Sequence, residues 1–168
     1  MAPRSWLLFA GLVAITVGFG LAAVYGAPAT GYAIGIWPTA LATALLLLTP
    51  KPPTPVVLVL VFAIAAGTIV TGRPASFAVG VAVGITVQTW VFWRFLTGGV
   101  RERPELQTNV QLARYIGGGA VGGLCVGVSG VVASLVAGWG QPLLVGLAVA
   151  ISTLASNLAV TPFFCRFR

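Results

Sequence analysis

The sequence predicts an all-α, polytopic membrane protein of about six transmembrane helices, with N-terminus and C-terminus both cytoplasmic. Three observations lead there. Apolar residues make up 58% of the chain and charged residues only 7%, whereas a water-soluble domain carries roughly 25% charged residues. The mean hydropathy lies above +1. Apolar runs of the length that crosses a hydrocarbon core of about 30 Å, roughly 20 helical residues, recur along the whole chain.

The spans follow in order, each closed by turn residues or charge. The first, 6–25, begins after Arg4 and stops at GAPATG. A cleaved signal peptide competes for it, since a basic start, an apolar stretch and AVYGAPA fit that pattern. The stretch of about 19 residues exceeds the usual 7 to 15, which favours a retained helix. The second span, 32–48, contains IWPTALATALLLL and ends in TPKPPTP. A third, 56–71, is short and ends at TGRPAS; a short span tilts little or borrows residues from its flank. The fourth, 77–96, ends in WVFWRFL before the polar stretch TGGVRERPELQTN, and the fifth, 112–137, ends at GWGQP. The sixth, 142–164, leads directly into CRFR, so residues 1–168 are expected to form one integral membrane domain with no output domain encoded.

Charge orients this arrangement. With six spans and a cytoplasmic N-terminus, Arg4, Lys51, Arg94, Arg101, Arg103, Arg114, Arg166 and Arg168 fall inside and Arg73 alone falls outside. Eight to one is a strong positive-inside bias, and merging or dropping a span would scatter the later arginines to the wrong side. The net charge of +7 is therefore read as topology rather than as a nucleic-acid surface, because the basic residues never form one dense patch. The expected location is the inner membrane, multi-pass, with the lipid bilayer as the first partner.

Composition also removes several chemistries. The chain has no histidine, and its two cysteines, Cys125 and Cys165, have no metal-ligand spacing, which leaves neither a disulfide framework nor a metal site. Both acids, Glu102 and Glu105, belong to the polar stretch RERPELQ. No ionisable group is expected at mid-depth, which disfavours proton-coupled transport and hydrolysis alike. The protein is expected to be no enzyme and to need no cofactor.

The run GGGAVGGLCVGVSG, 117–130, lacks the lysine and serine of a phosphate loop and lies inside a predicted span. Gly118 and Gly122, Gly119 and Gly123, and Gly123 and Gly127 are each four apart, and Gly80 and Gly84 repeat that spacing in the fourth span. Such small-residue faces serve helix packing far more often than ligand contact. Packing within one chain and packing between two chains, as a homodimer, are both open at this point.

The neutral polar residues of the spans are Thr68, Thr86, Gln88, Ser129, Ser134, Ser152, Thr153, Ser156, Asn157 and Thr161. Serine and threonine can return their hydroxyls to their own helix. Gln88 and Asn157 cannot, so both are expected to face another helix or a small polar cavity. Interhelical bonding is the commoner use of such groups, and ligand binding the sharper one. Trp90 and Trp93 beside Arg94 read as an interfacial anchor, with Trp139 as its counterpart on the other side and Trp6 in the same belt. The charged stretch with Arg114 also suits anionic headgroups.

With these positions laid out, three segments resemble the bacterial membrane-associated sensor domain, type one. IWPTALATALLLL is similar to the Trp-Pro and leucine run that opens an early family helix; VGITVQTWVFWRFL, 83–96, looks like a helix with a small polar motif and a terminal arginine; LASNLAVTPFF, 154–164, looks like a late helix ending near a proline. The resemblance covers roughly 30–165. It implies a multi-helix input module that passes a signal to a separate or fused cytoplasmic output such as a kinase, cyclase or phosphatase. Gln88 stands where the family often has glutamate and Thr153 where it often has aspartate, and the family is described with up to eight helices rather than six. The resemblance therefore implies a sensor of a small molecule, lipid or membrane partner, felt near Trp37, Gln88, Trp90, Thr153 and Asn157 and relayed through the polar stretch or Arg166 to Arg168. A substrate-binding subunit of a vitamin-type importer and a structural assembly subunit are the alternatives.

Overall fold

Prolines, glycines and one threonine set the helix ends. The computed structural model describes residues 62, 64–66, 68–69, 72–98 and 106–165. The first two predicted spans, most of the third, Trp37, the two glutamates and Arg166 to Arg168 lie outside them. Helix α1, Ala75–Thr97, follows Pro74 and stops at Gly98, whose φ of 59° lies in the left-handed region that glycine tolerates. Arg94 sits in its last turn, where a cation suits the carbonyl end of the helix.

Helix α2, Asn109–Ala137, starts with a capping box. The Gln111 backbone N–H donates to Thr108 Oγ1 at 3.2 Å, and Gln111 Oε1 accepts from the Thr108 backbone N–H at 3.0 Å. These two bonds satisfy N–H groups that the first turn leaves without helical partners. Helix α3, Pro142–Val160, carries Pro142 in its first turn, where the missing N–H has no helical partner to lose. It runs into a single 3-10 turn, Thr161–Phe164.

All regular structure among the described residues is helical, and α1, α2 and α3 are long and apolar enough to cross a membrane. Their 23, 29 and 19 residues correspond to about 34, 43 and 28 Å at about 1.5 Å per residue. For a core of about 30 Å, α2 must tilt or project. The bounds lie within three residues of the predicted fourth and fifth spans. The predicted sixth span, 142–164, divides into α3 and the 3-10 turn because Pro162 has no N–H to continue an α-helix.

Helix α2 packs along both α1 and α3. The main core joins Phe77, Val81 and Ile85 of α1 with Val126 and Ala133 of α2 and Val145 and Val149 of α3. A smaller cluster at the Arg94 end joins Phe92, Leu96 and Tyr115, flanked by Leu158. Around these cores the polarity is inverted relative to a protein in water. Val79, Val83 and Val87 of α1 and Leu143, Leu147 and Ile151 of α3 are exposed, while Thr86, Gln88, Thr89, Thr153, Ser156 and Asn157 are buried. Polar groups inside and aliphatic groups outside suit hydrocarbon as the surrounding medium.

Candidate functional site

Glycine decides how closely the helices approach. A Cβ added at Gly80 would lie 2.7 Å from Ala133 Cβ, and one at Gly84 would overlap Ser129, so this α1 face is seated on α2. In return, a Cβ at Gly118 would come within 2.6 Å of Phe95 Cβ, and one at Gly122 within 3.0 Å of Gln88 Cγ. The other side of α2 meets α3: a Cβ at Gly123 would stand 3.3 Å from Ala150 O, and one at Gly127 3.2 Å from Gly146 O. The glycine faces anticipated from the sequence thus hold neighbouring helices of the same chain.

The hydroxyls behave as short polar side chains in a helix should. Thr86 Oγ1 donates to Ala82 O at 2.8 Å, Thr89 Oγ1 to Ile85 O at 2.7 Å, and Ser156 Oγ to Ser152 O at 2.9 Å. The carboxamides behave differently. Gln88 is fully buried over Gly122, and its Nε2 has no hydrogen-bond partner. Its Oε1 is 3.4 Å from Thr89 Oγ1, whose single proton already serves Ile85 O at the shorter distance.

Asn157 is fully buried as well, and neither its Oδ1 nor its Nδ2 finds a partner among the described residues. Thr161, one turn further on, is also fully buried, with its Oγ1 unpartnered. Thr153, one turn earlier, is 2% exposed. Residues 153 and 157 share one face of α3 at the four-residue helical spacing, and Thr161 follows at the same spacing where the 3-10 turn begins, so the end of α3 carries a run of buried polar groups. Unpartnered buried amides and hydroxyls are costly, and a leucine in their place would avoid that penalty.

The backbone beside this stripe is held from α2. Pro162 cannot donate to the carbonyl four residues earlier, which is Leu158 O. The Tyr115 hydroxyl fills that place, donating to Leu158 O at 2.5 Å and lying 3.4 Å from Asn157 O. The bond spans 43 residues of sequence and fastens the end of α3 to the start of α2. Cys165 closes the turn: its thiol donates to Thr161 O at 3.6 Å, and burial pushes it up to about 11.

The sequence-predicted residues therefore separate. Gln88 meets α2 at Gly122, whereas the backbone carbonyl of Asn157 meets the hydroxyl of Tyr115, a position seven steps and about 10 Å of helix rise earlier on α2. Thr153 belongs with Asn157. Trp90 is 46% exposed, two residues round the helix from Gln88 and on its outer side. Tyr115 carries no polar or charge signal in the sequence, but Pro162, by releasing Leu158 O, calls for a donor such as its hydroxyl; Thr161 is one hydroxyl among several and gains its place here only through burial.

At the opposite end, Trp139 takes up the polar groups. Its ring centroid is 4.6 Å from that of Phe77, the Arg73 guanidinium lies 5.4 Å over it, and Ser134 Oγ donates to its carbonyl. Burial lowers the Arg73 pKa from its ordinary value. Among the described residues no group of three metal-ligating side chains comes together, and both cysteines are free. Comparison of the chain with family models, with curated proteins and with solved structures gives no match.

Proposed function

We propose that this chain is a non-catalytic sensory input module of a bacterial inner membrane, six spans in all with both termini cytoplasmic. It registers a small molecule or membrane partner among its helices and passes the change to a cytoplasmic output protein. The observation that carries this reading is the two fully buried carboxamides, Gln88 and Asn157, with hydrogen-bonding capacity left unused among the described residues. Groups kept only to join helices would bond across the interface. Groups kept for a ligand stay available for it.

The resemblance of the Trp-Pro segment, VGITVQTWVFWRFL and LASNLAVTPFF to a membrane sensor family supports the same reading. A ligand can drive such a module only if it favours one helix arrangement over another. The end of α3 suits that requirement, since a proline-ended helix held by one tyrosine hydroxyl has few bonds to rearrange.

The test is a chimera in which the full chain precedes a diguanylate cyclase domain, expressed in cells lacking other cyclases. Cyclic dinucleotide per molecule of chimera is measured across growth media and membrane compositions. The sensory reading expects output that changes with condition in the wild type and stays fixed in Asn157→Leu. Output that follows chimera abundance alone, or energising ATPase subunits co-purifying with the unfused chain, would overturn it.

A further inference from the structure

We propose that Asn157 and Thr161 form the binding site for an uncharged ligand carrying an adjacent hydrogen-bond donor and acceptor, of the primary-amide or lactam class, on an apolar body. The proposal deepens the sensory reading and rests on it for its biological use, though not for its test. Three polar atoms within one helical turn define the site: Asn157 Nδ2, which can only donate, Asn157 Oδ1, which can only accept, and Thr161 Oγ1, which can do either. All three are buried and without a hydrogen-bond partner among the described residues.

The chemistry of the ligand follows from what these atoms demand. A carboxamide presents donor and acceptor side by side, and the group that meets both at once is another amide edge with the complementary order. The Thr161 hydroxyl adds a third bond to either end of that edge. Charge on the ligand is disfavoured because no ionisable side chain lies on α3, and the two arginines described at this end, Arg94 and Arg114, are both exposed. An ion placed beside Asn157 would be desolvated without a counter-ion among the described residues.

The apolar body follows from the neighbours. Tyr115, 3.4 Å from Asn157 O through its hydroxyl, belongs to the cluster of Phe92 and Leu96 that Leu158 flanks. The Phe92 and Tyr115 rings are 6.0 Å apart between centroids. A flat apolar group attached to the amide would find aromatic and aliphatic partners there. Entry at this end also breaks little structure, because Pro162 leaves Leu158 O to a side-chain donor from another helix.

Binding is measured on the full chain in lipid nanodiscs, with benzamide as probe and benzoate and benzylamine as charged controls, by saturation-transfer NMR and by the thermal midpoint. Saturable benzamide binding that raises the midpoint, absent for both controls, is expected. Asn157→Leu and Thr161→Val should each weaken it at least tenfold; the second keeps side-chain shape and serves if the first fails to fold. Non-saturable uptake, equal affinity in Thr161→Val, or equal binding of benzoate would overturn the site. Benzamide binding with an unresponsive chimera would leave the site standing and remove the sensory reading. A responsive chimera without benzamide binding would do the reverse.

Discussion

The two ends of the three-helix unit are finished in opposite ways. At the Arg73 end, the ring of Trp139 lies against Phe77 and under the Arg73 guanidinium, while Ser134 donates to its carbonyl. Polar and aromatic groups there are used up by the protein itself. At the Tyr115 end, the backbone is held by a tyrosine hydroxyl, and Asn157 and Thr161 keep their side-chain capacity unused. The difference separates a structural closure from a place held open for something else: burial alone does not distinguish them, but satisfaction of the buried groups does.

Variants that break or sharpen this contrast can be ranked by size. Gly146→Leu acts on the seam both ends share, because even its Cβ would lie 2.8 Å from Gly127 O and would overlap Val131. Backbone cannot move aside as a side chain can, so a loss of about 3 kcal/mol, the top of the usual overpacking range, is expected. The readout is the yield of monodisperse protein and its thermal midpoint.

Tyr115→Phe should cost about 1 to 2 kcal/mol, since Leu158 O then lacks its donor and Pro162 offers none. Adding Pro162→Ala restores an N–H four residues after Leu158, and the double variant should recover part of that loss in a double-mutant cycle. Additive losses would show that the tyrosine hydroxyl does not stand in for the missing backbone bond.

Arg73→Gln at the opposite end should cost about 1 kcal/mol, between the values for exposed and desolvated cations over an aromatic ring, with fluorescence of Trp139 changing in step. The last effect is absent at neutral pH and emerges only in alkali. Burial places the folded Cys165 thiol at about 11 against an ordinary 9.0, so the folded state favours the protonated form. Stability from this group is therefore intact below pH 9 and declines as pH rises through 9 towards 11. Labelling of Cys165 by a polar maleimide should stay slow at pH 7 and accelerate over that same interval.

Much of the described fold was legible in the sequence. Gly98, Gly138 and Pro142 stand where the helices stop and start because backbone chemistry forces those positions, and the apolar runs between them needed no tertiary information. The glycine spacings likewise marked faces of close approach, although only packing showed that α2 uses one side for α1 and the other for α3. The site was half legible. Gln88 and Asn157 stood out because amides are costly in an apolar interior, yet their separation along α2 depends on how three helices align. The family resemblance sets Trp90 in one sensing region with Gln88, whereas two residues turn a helix by about 200° and place its ring on the outer surface, as an interfacial anchor requires. The bond from Tyr115 to Leu158 joins positions 43 residues apart, and nothing local announces such a contact except the proline that makes it useful.

The central claim is that Asn157 is kept for binding rather than for holding the helices together, and the stability of Asn157→Leu in lipid nanodiscs tests it most directly. An unpartnered amide replaced by an aliphatic group with the same number of heavy atoms should leave the thermal midpoint unchanged or raise it, as removal of a buried unsatisfied group does. A loss of about 2 kcal/mol or more in both Asn157→Leu and the smaller Asn157→Ala would contradict the claim, because overpacking acts in the first alone and an amide bonded within the protein would be missed in both.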